Sequence, residues 1–250
     1  MKQSGTNSNG RHAAFTRVDL AVVVGTVAAL LVIAFSAYAK PRNRVFQITD
    51  VSNHRRIMQA MISFAADNAD RLPNPGWGTV QKSWLYGANF PSGAANSPTT
   101  YNNFYSQQLG SFTNSQLFPY LHDSKVLMCP ADRPDNALFW ARNVYLASYT
   151  WNDAVDGYGS LANLTPSAYK LSQFRPDAIL EWEGDERVPF YWNDASNFPN
   201  EGISQRHGTN VMVGMFGGSV AAITIAGFNT MVAASAANRL WCNPGTTGGR

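Results

Sequence analysis

Charge is scarce in this chain. Only 19 Lys and Arg and 16 Asp and Glu occur among 250 residues, a formal net charge of +3. Lys2 and Arg11 precede Phe15 with no acid before it, so the remainder is close to neutral. No basic cluster interleaved with aromatics is present, which argues against a nucleic-acid partner. Cysteine is scarcer still. Cys129 and Cys242 lie far apart, each followed by Pro within two residues, and neither sits in a CxxC or His-rich spacing, which argues against zinc. In an oxidising compartment they could pair and stabilise the fold by about 3–5 kcal/mol; otherwise they are two buried thiols. The four histidines, His12, His54, His122 and His207, stand at no metal-ligand spacing from one another. No GxSxG, HExxH or GxxxxGKS stretch is found.

What is abundant is apolar: 45% of residues are hydrophobic and 12% aromatic, enough to bury the core of one large domain or two small ones. Low charge with many Asn, Ser, Thr and Gly is more typical of extracytoplasmic proteins than of cytosolic enzymes. From Leu20 to Ala39 no residue bears a formal charge. As a helix this run would span roughly 30 Å, about the hydrocarbon thickness of a bilayer. Lys40, Arg42 and Arg44 end it. An Ala-Tyr-Ala before Lys40 also suits a cleaved signal peptide. Asp19, at the mouth of the run, is the unusual feature, because an ionisable group beside such a segment needs a partner.

The residues around it, Ala13-Ala14 and then Phe15-Thr16-Arg17-Val18-Asp19-Leu20 behind a short basic leader, resemble the class III leader of type IV prepilins and type II secretion pseudopilins. The resemblance implies cleavage by prepilin peptidase between Ala14 and Phe15. It also implies an assembly role for the new Phe15 amine, paired with Asp19 within one chain or between staggered helices. Ala14 stands where the family usually has Gly, Arg17 where it has an apolar residue, and Asp19 where it has Glu. Further blocks follow in the family's order: "HRRIMQAMISFAADNADRLP", "LFPYLHDSKVLMCPAD", "SYTWN", "KLSQFRPDAILEWEGDE", "RHGTNVMVGMFGGSV" and "LWCNPGTTGGR". These are similar to the large pseudopilin-like proteins of Verrucomicrobia and Planctomycetes that carry a His-x9-Asp-Gly motif. Here His207 is followed after nine residues by Gly217-Gly218, so the motif's Asp is Gly217. A turn needing positive φ accounts for glycine at both positions.

Beyond the apolar run, Pro41 interrupts the helix, and Ile57, Met58, Met61, Ile62 and Ala65 then fall on one helical face. The helix should end near residues 68–71, before "LPNPGWG". Residues 73–100 read as an ordered, aromatic-rich loop. "NSQLFPYL" suggests a short helix; "KVLMCP", "ALFW", "VYLASYTW" and "AILEWE" read as strands, the last half-buried. "VMVGMFGGSVAAITIA" reads as a hairpin and "FNTMVAASAANRLW" as a closing helix. The expected fold is therefore α+β. A long N-terminal helix, membrane half plus soluble half, packs on an antiparallel sheet in the manner of a pilin. The expected parts are a leader (1–14), a transmembrane and assembly helix (15–40), the helix's soluble half (41–72) and an extracytoplasmic domain (73–250).

The functional expectation is a structural subunit, not an enzyme, in a type II secretion or type IV pilus-like filament. It would be single-pass in the inner membrane with a periplasmic domain, or extracellular once assembled, and would bind copies of itself or other pilin-like subunits. No cofactor is expected. Calcium has weak candidates in Asp153, Asp156, Glu183 and Asp185, yet the loop from Asn152 lacks the central EF-hand ligand and has Asn163 at the last position. Solvated strand-end acids are the preferred account. Glu181 and Glu183, ~7 Å apart along a strand, have no support as a glycosidase pair. His207 is read as a turn-bonding residue rather than a catalytic base. The competing function is a membrane-anchored carbohydrate-binding or carbohydrate-active domain, with Trp77, Trp84, Trp151 and Trp192 as the sugar platform.

Overall fold

The computed structural model describes residues 16–161 and 169–250, with the side chains of 34–45 left aside. The chain divides into two units, Met1–Arg44 and Val45–Arg250. The elements are α1 (Arg17–Asp67), α2 (Pro98–Phe112), α3 (Phe118–Leu121), α4 (Ala137–Trp140), β1 (Tyr149–Asn152), β2 (Ile179–Glu183), β3 (Ser196–Asn197), β4 (Asn210–Met215), β5 (Val220–Thr224) and α5 (Ile225–Ala233). The strands form one sheet in the order β3-β1-β2-β4-β5.

The expected fold needs correction in three respects. The sheet is mixed, because the chain returns after β2 to lay β3 parallel to β1, with Trp151 opposite Ser196. The Ala195 carbonyl fixes that return, accepting from the Trp151 backbone N–H at 3.1 Å and from Trp84 Nε1 at 3.2 Å. The helix does not act as one long rod on the sheet: the unit boundary falls inside α1, and residues of its second stretch, from Asp50 to Ala65, supply its buried side chains. Finally, no helix among the described residues is long and apolar enough to cross a membrane. The single-pass inner-membrane localisation is overturned on the same finding.

The sheet has covered faces. On one, Ile57, Met58, Met61 and Phe64 of α1 join a core with Trp84, Leu146, Tyr149, Trp151 and Leu180. Met58 lies directly on Gly214 of β4, where an added Cβ would come within 2.7 Å of its sulfur. On the other face, Trp182, Val211, Val213 and Met215 pack around Phe228 of α5. Ile62, expected in the core, is 39% exposed. Two segments read as strands are helical instead. Residues 124–127 form a 3-10 turn capped by Asp123, and α4 is capped by Asn136, whose Oδ1 accepts the Phe139 N–H at 2.9 Å. Such caps satisfy helix-start donors and outweigh β-propensity over four residues. Helix α2 was not anticipated, although Ser97 before Pro98 is a helix-start signature; the Thr100 N–H donates to Ser97 Oγ.

The β4–β5 hairpin pairs Asn210 with Thr224 and Gly214 with Val220. Only Gly218 in its turn has positive φ, +85°. Gly217 is glycine for a different reason: a Cβ there would come within 2.8 Å of the Pro176 carbonyl oxygen and 2.9 Å of its Cβ. Substituting Gly217→Ala should lower unfolding free energy by about 1–3 kcal/mol through this overpacking. Urea denaturation measures it, and Gly217→Asp, with a larger side chain, should cost at least as much.

Candidate functional site

The core-facing stripe of α1 changes character along its length. Asp50, Asn53 and His54 precede Ile57, Met58 and Met61 at helical spacing, and all six are buried. Opposite them lie the two acids of β2. Alternation along a strand puts Glu181 and Glu183 on one face and Trp182 on the other, and because both faces are covered, neither acid reaches solvent. These are not solvated strand-end acids. A buried charge survives only when it is paired or hydrogen-bonded, and the pairing here is extensive.

His54 Nδ1 lies 3.0 Å from Glu181 Oε2. Tyr149 donates its hydroxyl to Asp50 Oδ1 at 2.7 Å, and Asn53 Nδ2 donates to the Met128 carbonyl at 2.9 Å. Arg206 donates to Glu183 Oε1 at 3.1 Å and lies 3.2 Å from Asp132, which also takes two bonds from Arg142. The Arg142 guanidinium sits between the rings of Phe139 and Trp192, 4.5 and 4.1 Å from their centroids. His207, expected to bond a turn, instead places Nε2 3.2 Å from Glu183 Oε2, 3.2 Å from Cys129 Sγ and 3.9 Å from Asp50 Oδ2. The donor atoms of Asp50, Cys129, Glu183 and His207 all lie within 4.8 Å of one another, the one such group among the described residues. A metal ion could be held there.

The environment sets the charges. Burial alone would raise Glu183, but Arg206 and His207 outweigh it and hold the carboxyl at about 2. Burial raises Asp50 and Glu181, the first also through Glu183, the second despite the opposing His54. Burial would lower His54, but Glu181, Asp50 and Glu183 prevail and raise it. The Glu183 carboxylate, 3.2 Å away, raises His207. Burial and the neighbouring carboxylates raise Cys129.

The other candidates fall elsewhere. Asp185 is engaged by Arg187 at 2.6 and 2.8 Å, apart from Glu183's partners. Asp153 and Asp156 interact with each other, each with one buried oxygen lacking a hydrogen bond. The four calcium candidates therefore do not form one site. Cys129 and Cys242 are free thiols. Trp84, Trp151 and Trp192 are core residues, the first two stacked at 4.9 Å, which leaves Trp77 alone of the proposed sugar platform exposed. Ala14 and Phe15, and Asn163 of the EF-hand comparison, lie outside the described residues. Asp19 is described: Thr16 donates its backbone N–H and hydroxyl to Asp19 Oδ2 at 2.9 and 2.7 Å, and the Asp19 N–H returns to Thr16 Oγ1. This is a capping box, and the Thr16 bonds lower the Asp19 pKa. Arg17 is not the partner in these bonds.

Burial pushes the Asp156 and Asp194 carboxyls up to about 6, and raises Asp153 further with the help of Asp156. A folded pKa above the unfolded value means that the native state holds the extra proton between about pH 4 and 6, so stability falls as pH rises through that window. Asp156→Asn removes part of this loss. The difference in unfolding free energy between pH 4 and 7 should shrink by roughly 2 kcal/mol relative to wild type, read from urea midpoints at both pH values. No protein-family model matches the chain, and neither the curated proteins nor the solved structures include one similar to it.

Proposed function

We propose that the chain is a pilin-like subunit of a type II secretion or type IV pilus-like filament, structural rather than catalytic, that assembles through the first stretch of α1 against copies of itself or related subunits. The observation that supports this is the exposure of that stretch. From Val18 to Ile33 its large apolar side chains are 48–70% exposed, and they point to every side of the helix. A helix apolar all round is ordinarily buried, and a contiguous apolar surface of this kind marks an interaction site. Neighbouring helices of the same kind cover it without exposing backbone polar groups.

Asp19 fits the same reading. Both Thr16 bonds use Oδ2, which leaves Oδ1 to accept from the amine that cleavage between Ala14 and Phe15 would create on a neighbouring subunit. Opposite charges in the low dielectric of a helix bundle attract more strongly than in water. Prepilin peptidase is the processing partner that the leader resemblance implies.

The expected outcome in cells is a mature chain whose mass begins at Phe15 and that is recovered in filaments. Val24→Lys should abolish filaments, because it sets a charge in the packed surface, while the thermal melting of the globular unit stays unchanged. A mature N-terminus at Met1, or filaments of undiminished yield in Val24→Lys, contradicts the reading.

A further inference from the structure

We propose that Asp50, Cys129, Glu183 and His207 bind one zinc ion, forming a closed structural site that joins α1 to the sheet. Four segments distant in sequence supply the donors: α1, the turn after residues 124–127, the end of β2 and the loop before β4. None of them lies near another in sequence, which is why no ligand spacing is visible there.

The geometry matches the ion. Zinc bonds of about 2.0–2.3 Å in a tetrahedron place the donors roughly 3.3–3.7 Å apart. His207 Nε2 stands 3.2, 3.2 and 3.9 Å from Cys129 Sγ, Glu183 Oε2 and Asp50 Oδ2. Asp50 Oδ2 and Glu183 Oε2 are buried without a hydrogen-bond partner, and both belong to fully buried side chains that face into the cluster. One imidazole nitrogen has a single proton or a single lone pair to offer and cannot satisfy three neighbours. A dication at the centre satisfies all of them.

The surroundings hold the donors in place as metal ligands are held. The second oxygen of Asp50 accepts from Tyr149, and the second oxygen of Glu183 accepts from Arg206. Cys129 donates its backbone N–H to Ser148 Oγ at 3.0 Å, and its sulfur accepts the Ala131 N–H at 3.4 Å. The donor set selects the metal. Calcium and magnesium take oxygen ligands, whereas a thiolate and an imidazole in a tetrahedral arrangement with carboxylates suit zinc. On binding, Cys129 releases its thiol proton to solvent and coordinates as thiolate, and His207 coordinates through the neutral nitrogen. With all four positions filled by protein, no place is left for a reacting water, so the site is structural.

The test uses the full chain, purified without chelator and dialysed against zinc, with bound metal measured by elemental mass spectrometry. The expected content is about one zinc per chain, falling to about none in Cys129→Ser and His207→Asn and unchanged in His122→Asn, an exposed histidine outside the cluster. Cobalt in place of zinc should give the thiolate-to-metal charge-transfer band in wild type and lose it in Cys129→Ser. Chelation should lower the melting temperature of wild type, and added zinc should restore it. This wild-type arm decides the matter even if the variants fail to fold. Substoichiometric zinc in wild type with no cobalt–thiolate band overturns the proposal, as does full zinc content in a well-folded Cys129→Ser. Filament assembly enters none of these readouts, so the site and the subunit role stand or fall separately.

Discussion

The fold turns on one contact: the imidazole of His54 against the carboxylate of Glu181, 3.0 Å apart and wholly shielded from water. It is where α1 meets β2, and it sets the distance and rotation of the helix on the sheet. An unpaired charge in that position would cost several kcal/mol, so register errors between helix and strand are penalised far more than in an all-apolar interface. Everything nearby is arranged around it. Tyr149, whose hydroxyl accepts from Asn53, fixes Asp50, Arg206 bridges Glu183 to Asp132, and Arg142 closes the network between two aromatic rings.

The polar layer sits inside an otherwise aromatic core rather than at its edge. Trp84 and Trp151 stack on one side of the sheet, and Trp182 meets Phe228 on the other. In this setting hydrogen bonds strengthen because the dielectric is low, and for the same reason an orphaned atom is costly. Most polar atoms here find partners; three of the exceptions, Asp50 Oδ2, Glu183 Oε2 and His54 Nε2, lie close together. A cluster of unmet demand in a well-satisfied core is a specific feature of the molecule, distinct from the exposed apolar surface of residues 18–33.

Parts of this were legible in the sequence. The β4–β5 hairpin announced itself by two apolar runs about a glycine pair, and Ile57, Met58 and Met61 marked the buried face of α1 by period alone. The network was not legible, for physical reasons. Period-two acids in "AILEWE" read as a strand with one wet face, because nothing local says that helices cover both. Asp50, Asn53 and His54 share the phase of Ile57 and Met58, and that was the available signal; polar residues in phase with a core stripe imply buried partners. Cys129 and His207 gave none, since 78 residues separate them and the fold alone brings them to 3.2 Å. Gly217 was explained by its φ, whereas the close approach of Pro176, invisible without the packing, is what excludes a side chain. The extent of the apolar helix misled most, because composition suggested a bilayer span that the described helix does not provide.

A double-mutant cycle on His54 and Glu181 tests the dominance of that contact most directly. His54→Leu and Glu181→Met should each lower unfolding free energy by about 3–5 kcal/mol by stranding the other partner, while the double variant recovers much of the loss, giving a coupling of at least ~2 kcal/mol. Additive losses, with the double variant as unstable as the sum of the two, would mean that helix and sheet are held in register by apolar packing alone.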